Sequence, residues 1–229
     1  MMFPSGFIVA TMLLNWMFRI LKWGIVLSIA GVVLFRFLPF PFTWLMWIRA
    51  FETGNYNWKY EWVAIPDISP NLAKAVIYSE DQKFYNHFGF DFESLYHAAN
   101  ENINKNRKIG GSTISQQTAK NAFLYPARSW PRKILEAWFT VWIELLWSKE
   151  RILEVYLNII EMGNGVYGAE AAAQHYWKKT AKNLTIREAA LIAACLPNPR
   201  KYLVNKPNIA IKKRQYWIQE MVKNNYLKL

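Results

Sequence analysis

The sequence contains little that could form a disulfide or a zinc site. Cys195 is the single cysteine among 229 residues, so no disulfide can form within the chain and the redox compartment cannot be inferred from it. Its alanine- and leucine-rich surroundings favour a small buried hydrophobic residue. No second histidine or cysteine stands at metal-ligand spacing from His87, which disfavours zinc.

Acidic residues are absent from two long stretches. None precedes Glu52, and none lies between Glu101 and Glu136, although both stretches contain lysine and arginine. The chain carries a formal net charge of +12, which favours a polyanionic partner, a membrane surface or phosphate-bearing substrates. We interpret the basic tail after Pro199 as a solvated face near anionic lipid headgroups.

A long apolar run near the N-terminus is predicted to cross a membrane. Residues 20–38 are long enough to span a bilayer as one helix, with Lys22 and Arg36 near its ends. The run is too long for a cleaved signal peptide, and no small-x-small cleavage site follows it. We expect residues 1–19 to form a short cytoplasmic segment. Residues 3–18 are also apolar, so whether they enter the membrane stays open.

Aromatic residues are abundant, with 12 Trp and 14 Phe. Such rings commonly anchor proteins at a lipid interface. Residues 39–65 begin with a proline-rich helix break and contain several of these tryptophans, which predicts an interfacial connector. From residue 66 to residue 229 the pattern is helical, without sustained strand alternation. The sequence therefore predicts a mainly α-helical domain behind one transmembrane helix.

A carboxylate is predicted at the end of an amphipathic helix. Glu80 falls eight residues after Leu72 on the same helical stripe. Partial burial and the negative end of the helix dipole both make such a carboxylate a readier proton acceptor. The alternative is a structural carboxylate paired with a lysine or with His87. Asp81 and His87 are expected to orient other groups rather than to react.

A glycine-led polar loop, residues 110–121, follows in the acid-free stretch. It offers backbone N–H groups, hydroxyls, two glutamine amides and the amine of Lys120, an array that suits a diphosphate or sugar hydroxyls. It is not a Walker loop, because Gly-Lys-Ser/Thr and a preceding strand are missing. The alternative is a polar surface turn with helix caps.

A basic segment follows the loop. Glu136 has Arg132 and Lys133 one helical turn before it, which by periodicity alone favours a helix-surface ion pair. Arg128 precedes the same helix, where it either reaches an anion or stays solvated. A lone base facing an anion-binding loop suits attack on a group that leaves as a phosphate.

Five motifs, in order and over roughly residues 66–205, resemble the peptidoglycan glycosyltransferase family. They are Glu80-Asp81-x-x-Phe84-x-x-His87-x-Gly89, Gly-Gly-Ser-Thr-Ile-Ser-Gln-Gln-x-x-Lys-Asn at 110–121, Arg132-Lys133-x-x-Glu136-Ala137, Lys149-x-x-Ile152-Leu153-Glu154-x-Tyr156-Leu157-Asn158 with Gly163 and Gly168, and Glu188 through Pro199. No Ser-x-x-Lys occurs and Lys179-Thr180-Ala181 is not Lys-Thr-Gly, so we expect no transpeptidase domain and a monofunctional biosynthetic form.

The resemblance implies a lysozyme-like, mainly α-helical domain on the periplasmic side of a bacterial inner membrane. It implies polymerisation of lipid II into β-1,4 glycan with release of undecaprenyl diphosphate, by an inverting displacement with Glu80 as general base. Glu136 is the second expected catalytic residue, holding cations or a divalent metal, Mg²⁺ or Mn²⁺; no ligand spacing identifies a metal site. The residues expected to bind substrate or diphosphate are Ser112, Thr113, Gln116, Gln117, Lys120, Asn121, Arg128, Arg132 and Lys133.

Two other functions remain open. A lysozyme-like or lytic enzyme also needs a helix-end glutamate as its acid, but cleaving a neutral glycosidic bond requires no diphosphate site. A membrane-tethered basic binding protein for nucleic acid or anionic lipid would leave Glu80 without a role. The expected partners are therefore lipid II, the growing glycan chain, the membrane and other cell-wall synthesis or division proteins, and not nucleic acid.

Overall fold

A computed structural model describes residues 5–105, 110–127 and 129–224 of the chain. The chain divides into two compact units, Met1–Leu38 and Pro39–Leu229.

The first unit is a single long helix, α1 (Ser5–Phe35). Its stretch Ala10–Phe35 has a mean hydropathy of 1.9 and is long and apolar enough to cross a membrane. The sequence predicts a span over residues 20–38, but the helix includes residues 5–19 and ends at Phe35. No proline interrupts residues 5–35, and a helix-interior glycine costs only about 1 kcal/mol relative to alanine. The apolar run therefore continues upstream as one helix.

The second unit is mainly helical, as predicted. It begins with α2 (Trp44–Thr53), the short strand β1 (Lys59–Tyr60) and a 3₁₀ turn at Ile65–Asp67. The further helices are α3 (Pro70–Glu80), α4 (Phe92–Lys105), α5 (Ile114–Phe123), α6 (Trp130–Leu146), α7 (Lys149–Ile159), α8 (Ala169–Trp177), α9 (Ile186–Cys195) and α10 (Ile209–Asn224). A second 3₁₀ turn spans Ala181–Asn183.

A small sheet completes this unit. Its strands lie in the order β1, β3 (Val166–Tyr167), β2 (Glu161–Gly163), with β1 parallel and β2 antiparallel to β3. Gly168 follows β3 with φ +81°, and a Cβ there would overlap the carbonyl of Asn158 on α7. Glycine is therefore required where the chain turns from the sheet into α8.

Side-chain caps fix where several helices begin. Thr113 starts α5 and Thr185 starts α9, each in a complete capping box with the Gln or Glu three residues later. Ser69 caps α3, which has proline in its first turn. Replacing such a cap with alanine typically costs about 1 kcal/mol, so these residues set the start of the helices that carry the site.

The helices pack in two groups. α3 packs against α9 and α10, and α5 packs against α6 and α7. Leu72 and Ile77 of α3 are fully buried, as are Ile143 of α6 and Tyr156 of α7. The C-terminal end of α3 and the N-terminal end of α5 meet between the two groups, where the backbone N–H of Ile114 donates to Asp81 Oδ2 at 2.9 Å.

Candidate active site

Glu80 is the last residue of α3, and it lines a cleft of about 1030 Å³ that we call the large cleft. Its side chain is 13 % exposed, in agreement with the expected partial burial. Gln117 Nε2 donates to Glu80 Oε2 at 3.2 Å, and Ser79 Oγ lies 3.3 Å from Oε1. Arg214 Nη2 lies 3.5 Å from the same oxygen. Both oxygens of the Glu80 carboxylate are therefore contacted by neighbouring side chains, while the residue still lines the large cleft.

Arg214 is the main residue that the sequence analysis missed. It lies on α10, beyond the five motifs, and its guanidinium also donates to the Ser79 carbonyl at 3.0 Å and to its hydroxyl at 2.9 Å. The basic tail was interpreted as a solvated face, and for this residue that interpretation is wrong. The sequence signal that could have identified Arg214 is its helical spacing. It lies on the same stripe of α10 as Ile211 and Ile218, which are buried.

Asp81 connects the first two motifs. Its carboxylate accepts from His87 Nε2 at 2.9 and 3.0 Å as well as from the Ile114 N–H. The side chains of Asp81 and His87 are 3 % and 8 % exposed. They are placed to orient the start of α5, the role that the sequence analysis expects of them.

The glycine-led loop divides into lining and capping residues. Ser112, Gln117, Lys120 and Asn121 line the large cleft. Thr113 donates to the Gly89 carbonyl at 2.7 Å and shares the capping box with Gln116, so both of these buried side chains are used within the fold. They satisfy unpaired N–H groups at the start of α5, which need acceptors, and their expected role in substrate binding stays a prediction.

Lys120 brings a cation into the large cleft from α5. Burial lowers the pKa of the Lys120 amine, while the nearby carboxylates of Glu136 and Glu80 act in the opposite direction. Among the described residues it forms no ion pair within 4 Å. Its amine is therefore available to an incoming anion.

Glu136 organises the basic start of α6. Arg132 donates to one of its oxygens at 2.7 Å and Lys133 to the other at 2.5 Å. The Glu136 side chain is only 3 % exposed, so the pair is not the exposed helix-surface pair that periodicity favours. Glu136 does not line the large cleft with Glu80; it holds the two cations. Arg128 lies outside the described residues.

The described residues do not form a protein-only metal site. They contain no group of three or more His, Cys, Asp or Glu side chains arranged to hold an ion. Glu136, the residue expected to bind a divalent metal, has a cation on each oxygen. A side-chain cage for Mg²⁺ or Mn²⁺ therefore does not fit these residues.

The large cleft continues into a cation-rich pocket of about 710 Å³, the cationic pocket. Both are lined by Lys120 and Glu161, and the cationic pocket adds three cations, Arg49, Arg200 and Lys201. Burial raises the pKa of Glu161, with Arg49 opposing that shift. Among the described residues that line this pocket, lysine and arginine side chains therefore outnumber carboxylates.

A second pocket on Glu80, of about 370 Å³, has the opposite character, and we call it the acidic pocket. It shares Ser79, Glu80 and Ser112 with the large cleft. Its further charged lining is mainly acidic, with Asp81, Asp91, Glu101 and Lys83. Glu80 therefore lies where a cationic and an anionic region meet.

Some motif residues serve the scaffold alone. Glu144 on α6 accepts from Ser115 of the second motif and from Lys149 of the fourth. The Lys149 amine also lies 4.6 Å from the centre of the Phe84 ring of the first motif, a favourable cation–π arrangement. This buried network ties three motifs together behind the large cleft.

Comparison with known proteins identifies the family. The family model described as transglycosylase matches residues 48–222. The chain is 51 % identical over 201 residues to the biosynthetic peptidoglycan transglycosylase of Haemophilus influenzae (strain ATCC 51907 / DSM 11121 / KW20 / Rd), covering 85 % of this chain and 82 % of that protein.

Two further relatives carry the same name. That of Mannheimia succiniciproducens is 48 % identical over 218 residues, covering 92 % of this chain and 89 % of the relative. That of Bdellovibrio bacteriovorus is 48 % identical over 208 residues, covering 88 % and 82 %. The predicted lysozyme-like domain is the fold of this family. The chain therefore belongs to the transglycosylase family and is a peptidoglycan glycosyltransferase.

Proposed function

We propose that this glycosyltransferase polymerises lipid II into linear β-1,4 glycan strands and releases undecaprenyl diphosphate. The observation that carries the proposal is the position of Glu80: a partly buried carboxylate in a cleft that also contains the amine of Lys120. A base and an anion-stabilising cation in one cleft are what displacement of a diphosphate requires.

In the proposed reaction Glu80 removes the proton from the 4-hydroxyl of the acceptor GlcNAc. The hydroxyl oxygen attacks the anomeric carbon of the growing chain's MurNAc from the face opposite the diphosphate. The new C–O bond forms as the bond to the diphosphate oxygen breaks, which inverts the configuration and leaves the proton on Glu80. General-base assistance of this kind typically contributes about 10²–10⁴ in rate.

The leaving diphosphate gains charge as its bond to the sugar breaks. Lys120 supports its departure because its buried side chain already lines the large cleft. Arg132 and Lys133 add positive potential from α6, where Glu136 fixes their positions. Glu136 thus contributes through the cations that it holds.

We propose that Mg²⁺ or Mn²⁺ binds together with the diphosphate group of the substrate. Mg²⁺ is commonly bound through substrate phosphates and only one or two carboxylates, so a full side-chain cage is not required. No step above depends on the ion.

Location at the bacterial inner membrane, with the catalytic domain on the periplasmic side, is part of the same proposal. The apolar stretch of α1 is long enough to span a bilayer. Large apolar side chains are also exposed on α2 and α6, including Trp44, Phe51, Trp130 and Ile134. Because the substrate's lipid stays in the bilayer, these side chains suit a catalytic domain that contacts the membrane surface.

The direct test is polymerisation of labelled lipid II in detergent by the full chain and by Glu80→Gln. We expect at least about a 100-fold loss of glycan synthesis with an unchanged melting temperature. Glu220→Gln is the matched control, since Glu220 forms an exposed pair with Lys223 on α10. Near-normal glycan synthesis by Glu80→Gln would overturn the proposal. Release of soluble fragments from finished peptidoglycan would instead favour the lytic alternative.

A further inference from the structure

Tyr156 is a fully buried tyrosine of the fourth motif whose hydroxyl points at the active-site glutamine. It lies on α7, and its hydroxyl is 3.4 Å from Gln117 Oε1 on α5. The distance is at the long end for a hydrogen bond. A buried tyrosine hydroxyl usually finds a hydrogen-bond partner, and for Tyr156 that partner is Gln117.

The contacts of Gln117 determine which way its amide faces. Its Nε2 is 3.2 Å from Glu80 Oε2 and 3.5 Å from the Ser112 carbonyl oxygen. Both of these partners can only accept, so the amide nitrogen must face them. The amide oxygen is then left facing Tyr156, which must donate.

The tyrosine is able to donate at every working pH. Burial, together with the charges of Glu80 and Asp81, raises the pKa of Tyr156 well above its ordinary value. The phenol therefore stays protonated across the range in which the enzyme can act.

We propose that Tyr156 is a positioning residue: its hydroxyl fixes the Gln117 amide, which in turn holds Oε2 of Glu80 for proton transfer. The proposal rests on the proposed function of Glu80 as base. Without the hydroxyl, Glu80 and the Ser112 carbonyl still select the amide nitrogen, but the amide oxygen loses the donor that holds it, so the amide can tilt away from the carboxylate. The other charged groups around Glu80 are Arg214 from α10, Lys120 from α5 and the adjacent Asp81. None of these three fixes the orientation of the amide.

The test compares Tyr156→Phe with Tyr167→Phe in the lipid II assay. Tyr167 is equally buried, and its hydroxyl has no hydrogen-bond partner among the described residues, which makes it a matched control. For Tyr156→Phe we expect kcat to fall about tenfold, as for loss of one functional hydrogen bond, with KM changed by less than about twofold. Tyr167→Phe should leave both unchanged.

A double-mutant cycle with Gln117→Ala tests whether the effect passes through the amide. Adding Tyr156→Phe to Gln117→Ala should cause no more than about a twofold further loss, since coupled residues are not additive. Full multiplication of the two losses would overturn the inference. If Tyr156→Phe does not fold, Gln117→Met must reproduce the loss of kcat with KM changed by less than about twofold, and an unchanged kcat would again overturn the inference.

Failure of this inference can be distinguished from failure of the proposed function. If Glu80→Gln retains activity, Glu80 is not the general base and the proposed function fails. If Glu80→Gln is inactive but Tyr156→Phe behaves like Tyr167→Phe, the proposed function stands. Only the positioning role of Tyr156 then fails.

Discussion

The two regions that meet at Glu80 differ in charge. The large cleft and the cationic pocket are lined by Lys120, Arg214 and further arginine and lysine side chains. The acidic pocket shares Glu80, and its other charged lining is mainly carboxylates. A diphosphate is attracted to the first region and repelled by the second. The contrast supports the proposal that the leaving diphosphate lies on the cationic side of Glu80, although both regions are open to solvent.

Removing a cation should matter on one side of Glu80 only. We expect Lys120→Met to lower kcat for glycan synthesis by about 10²–10³, comparable to the loss of one preorganised donor to developing charge. Lys83→Met is the matched change in the acidic pocket, where Lys83 forms an exposed pair with Glu93 and such pairs contribute little. Its activity should stay within about twofold. Equal losses in the two variants would remove the contrast between the regions.

A smaller effect is expected from the cation that contacts Glu80 directly. Arg214→Ala should lower kcat about tenfold, because the carboxylate loses a charged neighbour and Ser79 loses a donor. Arg214→Lys should recover part of that loss, since it restores the charge but not the planar fork of donors. Steady-state kinetics on lipid II would measure both, and a fully active Arg214→Ala would show that the contact is only structural.

These two cations show how much of the site can be predicted from the sequence. Lys120 belongs to a dense local motif, and its helix position follows from the Thr113 cap, so its role could be expected. Arg214 reaches Glu80 only because α10 packs on α3, a contact between residues far apart in the chain. Local patterns do not encode such contacts, and a basic tail looks solvated until its buried stripe is recognised.

The same limit explains the other differences. Thr113 and Gln116 carry a capping-box pattern, and they cap α5 because unpaired N–H groups at a helix start are costly. Their expected contact with substrate stays a prediction. Tyr156 belongs to the fourth motif, but the sequence alone assigns it no role, because its partner Gln117 lies on another helix. Glu80, Asp81 and His87 were predictable since they lie within one short segment.

The smallest expected effect concerns the acidic pocket and stability rather than activity. Asp91 caps α4, accepting from the Ser94 N–H at 2.9 Å and from its hydroxyl at 2.6 Å. Asp91→Ala should lower the free energy of unfolding by about 1 kcal/mol at neutral pH, whereas Asp91→Asn should keep most of it, because both Asp and Asn cap well. Thermal unfolding of the two variants measures the difference.

The pH dependence of that difference has a defined sign. Burial acts to raise the pKa of Asp91, but the Ser94 hydrogen bonds and Lys83 outweigh it, so the pKa is lowered. A lowered pKa in the folded state stabilises the protein above the unfolded value of about 3.9 and loses that contribution as the pH falls through the folded value. The gap between wild type and Asp91→Ala should therefore narrow in acid; a gap that widens there would contradict the assignment.

The packing of the helices in two groups has a consequence for the geometry of the active site. Glu80 ends a helix of one group and Lys120 lies in the other, with Asp81 and Gln117 bridging them. The distance between the proposed base and the Lys120 amine therefore depends on how the two groups of helices pack within one compact unit. A shift of about 1 Å in such geometry can cost on the order of 100-fold in rate. A core substitution that shifts one group of helices against the other should therefore lower the rate of synthesis even where each helix stays folded.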